Sequence, residues 1–184
     1  MRHIEIEKKF ALPDPTALIA VLTERGAIPS APTQQVDAYY NAPDRDFLEP
    51  EVVSEWLRIR GEETGSSINF KRWHPIDEVT KTHADEYEFT VGDAEAARLM
   101  FDALGYRPLV TVDKTRTAWM LDDVEIVLDH VVDAGDFVEF EFKGEADSVE
   151  AATEQLIKFI AGLGVELDKP INRGYPHMLL RREH

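Results

Sequence analysis

The sequence of 184 residues contains no cysteine, has no long apolar run and is short of basic residues. Without cysteine, disulfide bonds, thiol nucleophiles and thiolate metal ligands are excluded. The apolar runs extend over only a handful of residues, as in Ala17 to Leu22, which is far too short to cross a membrane. The chain begins with charged residues and shows no secretory signal pattern. These absences predict a soluble, cytoplasmic protein.

The charge balance is strongly acidic, with 36 Asp and Glu residues against 20 Lys and Arg residues and a formal net charge of −16. Nucleic-acid binders need a basic face, and anionic membranes repel such a chain. A small anionic substrate is still compatible, provided that the basic residues are gathered in one place. The length and the 43% hydrophobic composition are typical of a folded protein, and we expect a single domain over residues 1–184.

The first predicted strand places charge on one of its faces. Glu5, Glu7 and Lys9 alternate with Ile6 and other apolar residues, and successive side chains of a strand point to opposite faces. Two carboxylates at a spacing of two repel each other unless a cation lies between them. A hard divalent metal accepts such oxygen ligands, whereas a solvated strand face is the alternative interpretation.

The same alternation of charged and apolar residues recurs along the chain. Strands are predicted around Gln34–Asn41, Trp56–Arg60, Ser67–Trp73, Glu86–Phe89, Val110–Met120, Glu125–Val131 and Phe137–Lys143. Three amphipathic helices are predicted, with N-terminal caps at Asp14, Asp93 and Asp147 and glycines behind them. The tail from Ile171 to Arg182 is compatible with a short strand or a short helix. Most of these strands are joined as hairpins.

The charged residues that lie on single strand faces are evenly balanced, although the whole chain is acidic. They are Glu5, Glu7, Lys9, Arg58, Arg60, Lys71, Glu86, Glu88, Lys114, Arg116, Asp129, Glu139, Glu141 and Lys143. We therefore predict an α+β fold in which an eight-stranded antiparallel β-barrel, or tunnel, has a polar charged interior and about three helices packed outside. Such an interior is costly unless it is wet and its charges are paired or ligand-bound. Acids and bases on rigid strands suit a polyphosphate with a bound metal ion.

Several motifs resemble the CYTH superfamily, the triphosphate tunnel metalloenzymes. Glu5-Ile6-Glu7-Lys8-Lys9 matches the Glu-x-Glu-x-Lys motif of that superfamily. The other matching segments are Leu57–Arg60, Asn69–Lys71, Glu86–Glu88, Lys114–Arg116, Leu128–Asp129 and Gly135–Glu141. The resemblance covers nearly the whole chain. The segments Tyr39 to Arg45 and Gly135 to Glu141 resemble the class IV adenylate cyclase-like branch, and thiamine triphosphatases share parts of both.

The resemblance implies a role for each matching residue. Mg²⁺ or Mn²⁺ would be held by Glu5, Glu7, Glu139 and Glu141, and Asp129 is either a further metal ligand or the residue that orients Arg116. The phosphate-binding and catalytic bases would be Lys9, Arg58, Arg60, Lys71, Lys114 and Arg116. Glu86 and Glu88 would contact the substrate or position the bases. The C-terminal lysine of the branch is missing, and Arg173 or Lys169 is expected to replace it.

The resemblance implies an enzyme that acts on a small-molecule triphosphate, without a nucleic-acid or membrane partner. The favoured reaction converts ATP to cyclic AMP and pyrophosphate. The alternative is a triphosphatase that hydrolyses inorganic triphosphate, thiamine triphosphate or a nucleoside triphosphate. A non-catalytic polyphosphate- or nucleotide-binding module is a further alternative, although a pure anion binder gains nothing from four glutamates. Trp56 and Trp73 are candidates to stack a base, with core packing as the alternative. The sequence is compatible with a homodimer.

Overall fold

The computed structural model describes residues 2–76 and 78–180, with side chains from Glu5 onward. The described chain forms two compact units. Unit 1 comprises the described residues of Met1–Ile4, Gln34–Asp113 and Arg173–His184, and unit 2 comprises Glu5–Thr33 and Lys114–Asn172. No helix in the described part of the chain is both long enough and apolar enough to span a membrane.

Nine strands and four helices make up the described residues. The strands are β1 (Arg2–Glu5), β2 (Glu7–Ala11), β3 (Thr33–Asn41), β4 (Glu55–Glu62), β5 (Gly65–His74), β6 (His83–Val91), β7 (Arg107–Leu121), β8 (Val124–Val131) and β9 (Gly135–Phe142). The helices are α1 (Thr16–Glu24), α2 (Ala94–Ala103), α3 (Val149–Gly162) and α4 (Tyr175–Leu180).

Unit 1 is an antiparallel sheet with one helix on its apolar face. Its strand order is β1-β6-β5-β4-β3, and the first half of β7 belongs to the same unit. The apolar residues of alternating strand positions, such as Ile59 and Ile68, pack with Ala97 and Phe101 of α2. Asp93 caps α2, because its side chain accepts a hydrogen bond from the Ala96 backbone N–H at 2.9 Å. Burial of this apolar face leaves the alternate strand positions for polar side chains.

Unit 2 contains antiparallel strands with a larger apolar core. The second half of β7 pairs with β8, β8 with β9, and β9 with β2. Its fully buried core includes Phe140 and Val138 of β9, Leu22 of α1 and Leu156 of α3. The two helices therefore cover one face of the sheet. The opposite face carries the charged residues that the sequence analysis identified.

The predicted α+β class, the antiparallel strands and the outer helices are confirmed. The first predicted strand is divided at Ile6, whose side chain enters the core of unit 2 and whose carbonyl accepts a hydrogen bond from the Phe142 N–H. The tail predicted as a short strand or a short helix contains the short helix α4, and residues 181 and 182 of that tail lie outside the described residues. The cap of α3 is Ser148 and not Asp147, because the Ser148 hydroxyl accepts from the Ala151 N–H at 3.1 Å.

Candidate functional site

The register of unit 1 places its polar side chains on one face of the sheet. Asp37 of β3 lies opposite Arg60 of β4, and Arg60 lies opposite Ser67 of β5. Two residues away along the same strands, a second cross-strand row contains Tyr39, Arg58, Asn69 and Glu88. A third row contains Trp56, Lys71 and Glu86. Because residues at a spacing of two share a face, these rows form one polar surface, opposite the side that packs against α2.

Asp37 holds the two arginines of this face. Its carboxylate accepts two hydrogen bonds of 2.7 Å from Nε and Nη2 of Arg60, and its Oδ2 lies 3.3 Å from Nη1 of Arg58. Burial lowers the pKa of Arg58, but Asp37 and Tyr39 outweigh burial and raise this pKa above its ordinary value. Removing one partner of such a buried ion pair typically costs about 3–5 kcal/mol, so the three charges depend on one another.

Lys71 and the acidic strand β6 complete the polar face of unit 1. The ammonium of Lys71 lies 3.8 Å from Glu86 and 5.2 Å from the ring centroid of Trp73. Glu86 also accepts a hydrogen bond of 2.6 Å from the Asn69 side chain, while Glu88 accepts one from Ser67. These contacts hold Lys71 between a carboxylate and an aromatic ring, which is a suitable setting for a cation that binds an anionic ligand.

A pocket of unit 1 combines these cations with aromatic walls. Its lining residues are Tyr39, Trp56, Arg58, Asn69, Lys71, Trp73, Gly174, Tyr175 and Pro176, and they surround about 380 Å³ of empty space including the open mouth. Tyr39 and Trp56 meet edge to face with ring centroids 5.7 Å apart. A Cβ atom at Gly174 would lie 3.5 Å from the Trp56 indole nitrogen, an ordinary van der Waals contact, so the C-terminal segment packs directly against this wall.

The register of unit 2 collects most of the predicted metal ligands on one face. Glu7 of β2 lies opposite Glu141 of β9, which lies opposite Glu125 of β8. Lys9 lies opposite Glu139 two residues further along. The intervening residues Val138 and Phe140 belong to the apolar core on the other face. The alternation predicted from the sequence therefore places these carboxylates away from α1 and α3.

Asp129 and Glu139 form a buried network with the bases of unit 2. Asp129 accepts hydrogen bonds from Arg116 Nε at 2.8 Å and from the buried Lys114 ammonium at 3.2 Å. Glu139 lies 3.0 Å from the Lys9 ammonium and 2.7 Å from Nη2 of Arg116. Burial raises the pKa of Glu139, but the positive charges of Lys9, Arg116 and Lys114 outweigh it and hold the pKa well below its ordinary range. Both carboxylates are therefore charged at neutral pH.

The carboxylates at the other end of this face surround an ammonium group. Lys143 lies 2.6 Å from Glu141 and 3.5 Å from Glu125. Burial lowers the pKa of Lys143, and the carboxylates of Glu141, Glu125 and Glu5 more than offset that effect. Glutamate oxygens are suitable ligands for Mg²⁺ or Mn²⁺, so the donor set fits a hard cation. Among the described side chains of residues 5–76 and 78–180, no group of three acidic or histidine residues lies close enough together to hold a metal ion.

The structure places the predicted site residues on the two polar faces. Arg58, Arg60, Lys71, Glu86 and Glu88 share the face of unit 1. The face of unit 2 carries Glu7, Lys9, Lys114, Arg116, Asp129, Glu139 and Glu141. Glu5 is buried in the same unit, next to the point where β1 ends. Arg173 is exposed, and the residues that follow it line the aromatic pocket.

Three contributors were missed by the sequence analysis. Asp37 and Tyr39 lie in a predicted strand, but no second charge at a spacing of two drew attention to Asp37. Glu125 is the third, because its partner Lys143 was interpreted as a surface residue. All three residues are identified by the cross-strand register, which cannot be read from the sequence alone.

Comparisons with known proteins agree with this geometry. The profile of the CYTH domain family matches residues 3–175. A protein of Methanocaldococcus jannaschii, named provisionally as an adenylate cyclase, is 29% identical over 173 residues, which cover 94% of this chain and 96% of that protein. A solved Pyrococcus horikoshii structure is 29% identical with a TM-score of 0.76, covering 98% of this chain and 99% of that one.

A more distant solved structure shares the fold. It is a Hippeastrum protein with 15% identity and a TM-score of 0.64, covering all of this chain and 96% of that one. That protein is described as a provisional adenylyl cyclase with a dominant triphosphatase activity. At this identity the likeness concerns the fold alone.

Proposed function

Because the chain belongs to the CYTH domain family, we propose that it is a divalent-metal-dependent enzyme that acts on a triphosphate and converts ATP to cyclic AMP and pyrophosphate. Each polar face offers basic residues that are suited to bind phosphate groups. Arg58 and Arg60 offer guanidinium forks that match phosphate oxygens, and Lys9, Lys71, Lys114 and Arg116 add further positive charge.

The observation that carries the proposal is the aromatic pocket beside Arg58 and Lys71. Arg58 Nε is buried and has no hydrogen-bond partner within the described residues, so it is a donor suited to a ligand oxygen. Trp56, Trp73 and Tyr39 stand next to it. Inorganic triphosphate needs cations but no apolar walls, whereas a base and a ribose need both. The pocket therefore favours a substrate with an aromatic group attached to its triphosphate.

The residues of the chain would orient the substrate for an in-line reaction. In the cyclase, the ribose 3′-oxygen attacks the α-phosphorus and pyrophosphate leaves. The arginines and lysines hold the phosphates in that alignment and stabilise the charge that develops on the leaving pyrophosphate. The metal ion would be held by Glu5, Glu7, Glu139 and Glu141. On binding it, Glu141 would exchange its ion pair with Lys143 for the metal. When bound, the ion neutralises phosphate charge and lowers the pKa of the nucleophile.

Hydrolysis is the second candidate function, with thiamine triphosphate as a substrate that also carries aromatic rings. Water then attacks the γ-phosphorus. The same pocket supports this candidate, because its aromatic walls suit the rings of thiamine as well as adenine. The two reactions differ in the nucleophile, which is the ribose 3′-oxygen or water, and in the phosphorus that it attacks.

The products distinguish the two reactions. Purified protein is incubated with ATP, inorganic triphosphate and thiamine triphosphate in Mg²⁺ or Mn²⁺, and the products are identified by mass spectrometry. The proposal predicts cyclic AMP and pyrophosphate from ATP, and weaker binding of adenine-modified analogues. If orthophosphate is the only product and no cyclic nucleotide forms, the enzyme is a triphosphatase.

A further inference from the structure

Asp37 is a buried carboxylate that contacts both arginines of the proposed phosphate site. We infer that Asp37 is a positioning residue, which fixes the Arg58 and Arg60 guanidiniums in the orientation that binds phosphate. Asp37 is 1% exposed and contacts both arginines on the polar face of unit 1. The inference rests on the proposed function of this face in binding a triphosphate.

The geometry fixes both guanidiniums at once. The two hydrogen bonds between Asp37 and Arg60 are parallel, which is the arrangement that restrains a planar guanidinium most strongly. On Arg58, Nη1 lies 3.3 Å from Asp37 Oδ2 and 3.4 Å from the Tyr39 hydroxyl oxygen. Nε of Arg58 is left as a buried donor with no hydrogen-bond partner in the described chain. Asp37 thus occupies one edge of Arg58 and leaves another donor for an incoming oxygen.

Unit 2 has the same arrangement, in which one buried aspartate contacts two basic residues, on a different pair of strands. Asp129 of β8 lies opposite Arg116 of β7, as Asp37 of β3 lies opposite Arg60 of β4. Arg116 binds Asp129 through Nε and Nη2, and Lys114, two residues earlier on the strand, contacts the same carboxylate. In each unit one buried aspartate holds two bases at a spacing of two. This recurrence favours an organising role for Asp129 as well.

Two effects of Asp37, its negative charge and its hold on the orientation of the arginines, predict opposite changes in triphosphate affinity when Asp37 is removed. A negative charge beside two arginines weakens their attraction for an anion, so simple Coulomb reasoning predicts tighter triphosphate binding without it. If Asp37 instead holds the guanidiniums in their binding orientation, its removal lets them rotate, and binding must restrain them again. The sign of the change in affinity therefore separates a positioning residue from a counter-charge that serves only the fold.

The test compares inorganic triphosphate binding to the wild type, Asp37→Asn and Asp44→Asn by calorimetry. Asp44 is the matched control, since its carboxylate pairs with the exposed Arg45. We expect Asp37→Asn to weaken binding by roughly 10- to 100-fold, as for the loss of charge-assisted hydrogen bonds, and Asp44→Asn to bind like the wild type. Equal or tighter binding by folded Asp37→Asn overturns the inference. If the wild type does not bind triphosphate, the proposed function fails instead.

A measurement on the wild type keeps the inference testable if Asp37→Asn does not fold. Nitrogen-15 NMR reports the Nε–Hε signal of Arg60, which is assigned by its loss in Arg60→Lys. A guanidinium fixed by Asp37 gives an Hε signal that exchanges slowly with water before any triphosphate is added. An Arg60 Hε that exchanges as fast as that of an exposed arginine contradicts the inference.

Discussion

At the scale of single residues, the two polar faces are built from ion pairs that burial makes interdependent. Lys114 is 2% exposed, and its ammonium is accommodated because Asp129 lies beside it. Arg60 and Asp37 form the corresponding pair in unit 1. A buried charge without its partner is strongly destabilising. Substitutions that test binding must therefore be compared with measurements of folding stability.

Arg58→Ala and Arg60→Ala are each expected to weaken triphosphate binding. The expected loss is ~1.5–3 kcal/mol, the usual scale for a hydrogen bond to a charged group. Calorimetry with inorganic triphosphate measures the loss, at a temperature where both variants are folded. Arg98→Ala is the matched control, because Arg98 pairs with Glu95 and Asp102 on the surface of helix α2. Unchanged affinity in both variants would show that these arginines do not bind the phosphates.

The depressed pKa of Glu139 predicts that acid destabilises the protein. A carboxylate whose pKa is lower in the folded than in the unfolded state stabilises the fold above its unfolded value. That value is about 4.5 for Glu139, and the stabilisation is lost as pH falls further through the folded pKa. Urea unfolding at pH 7 and at several values below 4.5 measures the effect. Glu139→Gln should be less stable at pH 7 and less sensitive to acid, and an equally steep loss in this variant would contradict the assignment.

At the scale of elements, strand alternation was readable from the sequence and cross-strand register was not. Glu5, Glu7 and Lys9 were predicted to share a face because a period of two needs only local sequence. The pairing of Asp37 with Arg60 depends on residues 23 apart, and nothing local marks it. The division of the first strand at Ile6 likewise results from packing and a hydrogen bond to Phe142. Local patterns therefore identified most of the charged residues that lie on the two polar faces, and tertiary contacts supplied their organisation.

At the start of helix α3, the predicted N-terminal cap lies one residue before the observed cap. Asp147 and Ser148 are both good caps, and only the structure shows that Ser148 accepts the hydrogen bond. Ser148→Ala should lower the free energy of unfolding by about 1 kcal/mol, as measured by urea denaturation. Ser148→Asp retains an acceptor and should be close to the wild type. If both variants were equally destabilised, the hydrogen bond that the cap accepts would contribute nothing to the free energy of unfolding.

At the scale of the whole molecule, the order of the motifs along the chain predicted the family. The match to the CYTH domain family over residues 3–175 confirms the resemblance that the short motifs indicated. In the proposed function the aromatic pocket selects the substrate, and Tyr175 and Pro176 of the C-terminal segment contribute to its lining. That contribution was not readable from the sequence, because neither Tyr175 nor Pro176 carries a charge and no strand alternation marks them.

Metal dependence is expected to separate binding from turnover. Glu7→Gln removes a proposed metal ligand and leaves the arginines in place, so turnover should be abolished while some triphosphate binding persists. Calorimetry measures the binding and product analysis measures the turnover. Glu95→Gln, on the surface of helix α2, is the matched control. Full activity of Glu7→Gln would remove Glu7 from the proposed metal site.

The most direct test of the central claim is the consumption of ATP, inorganic triphosphate and thiamine triphosphate by the wild-type protein, with Mg²⁺ or Mn²⁺ and with excess chelator. The account predicts turnover of at least one triphosphate with a divalent metal, and loss of that turnover when the metal is chelated. Undiminished turnover in excess chelator, or no turnover of any of the three with either metal, would contradict it.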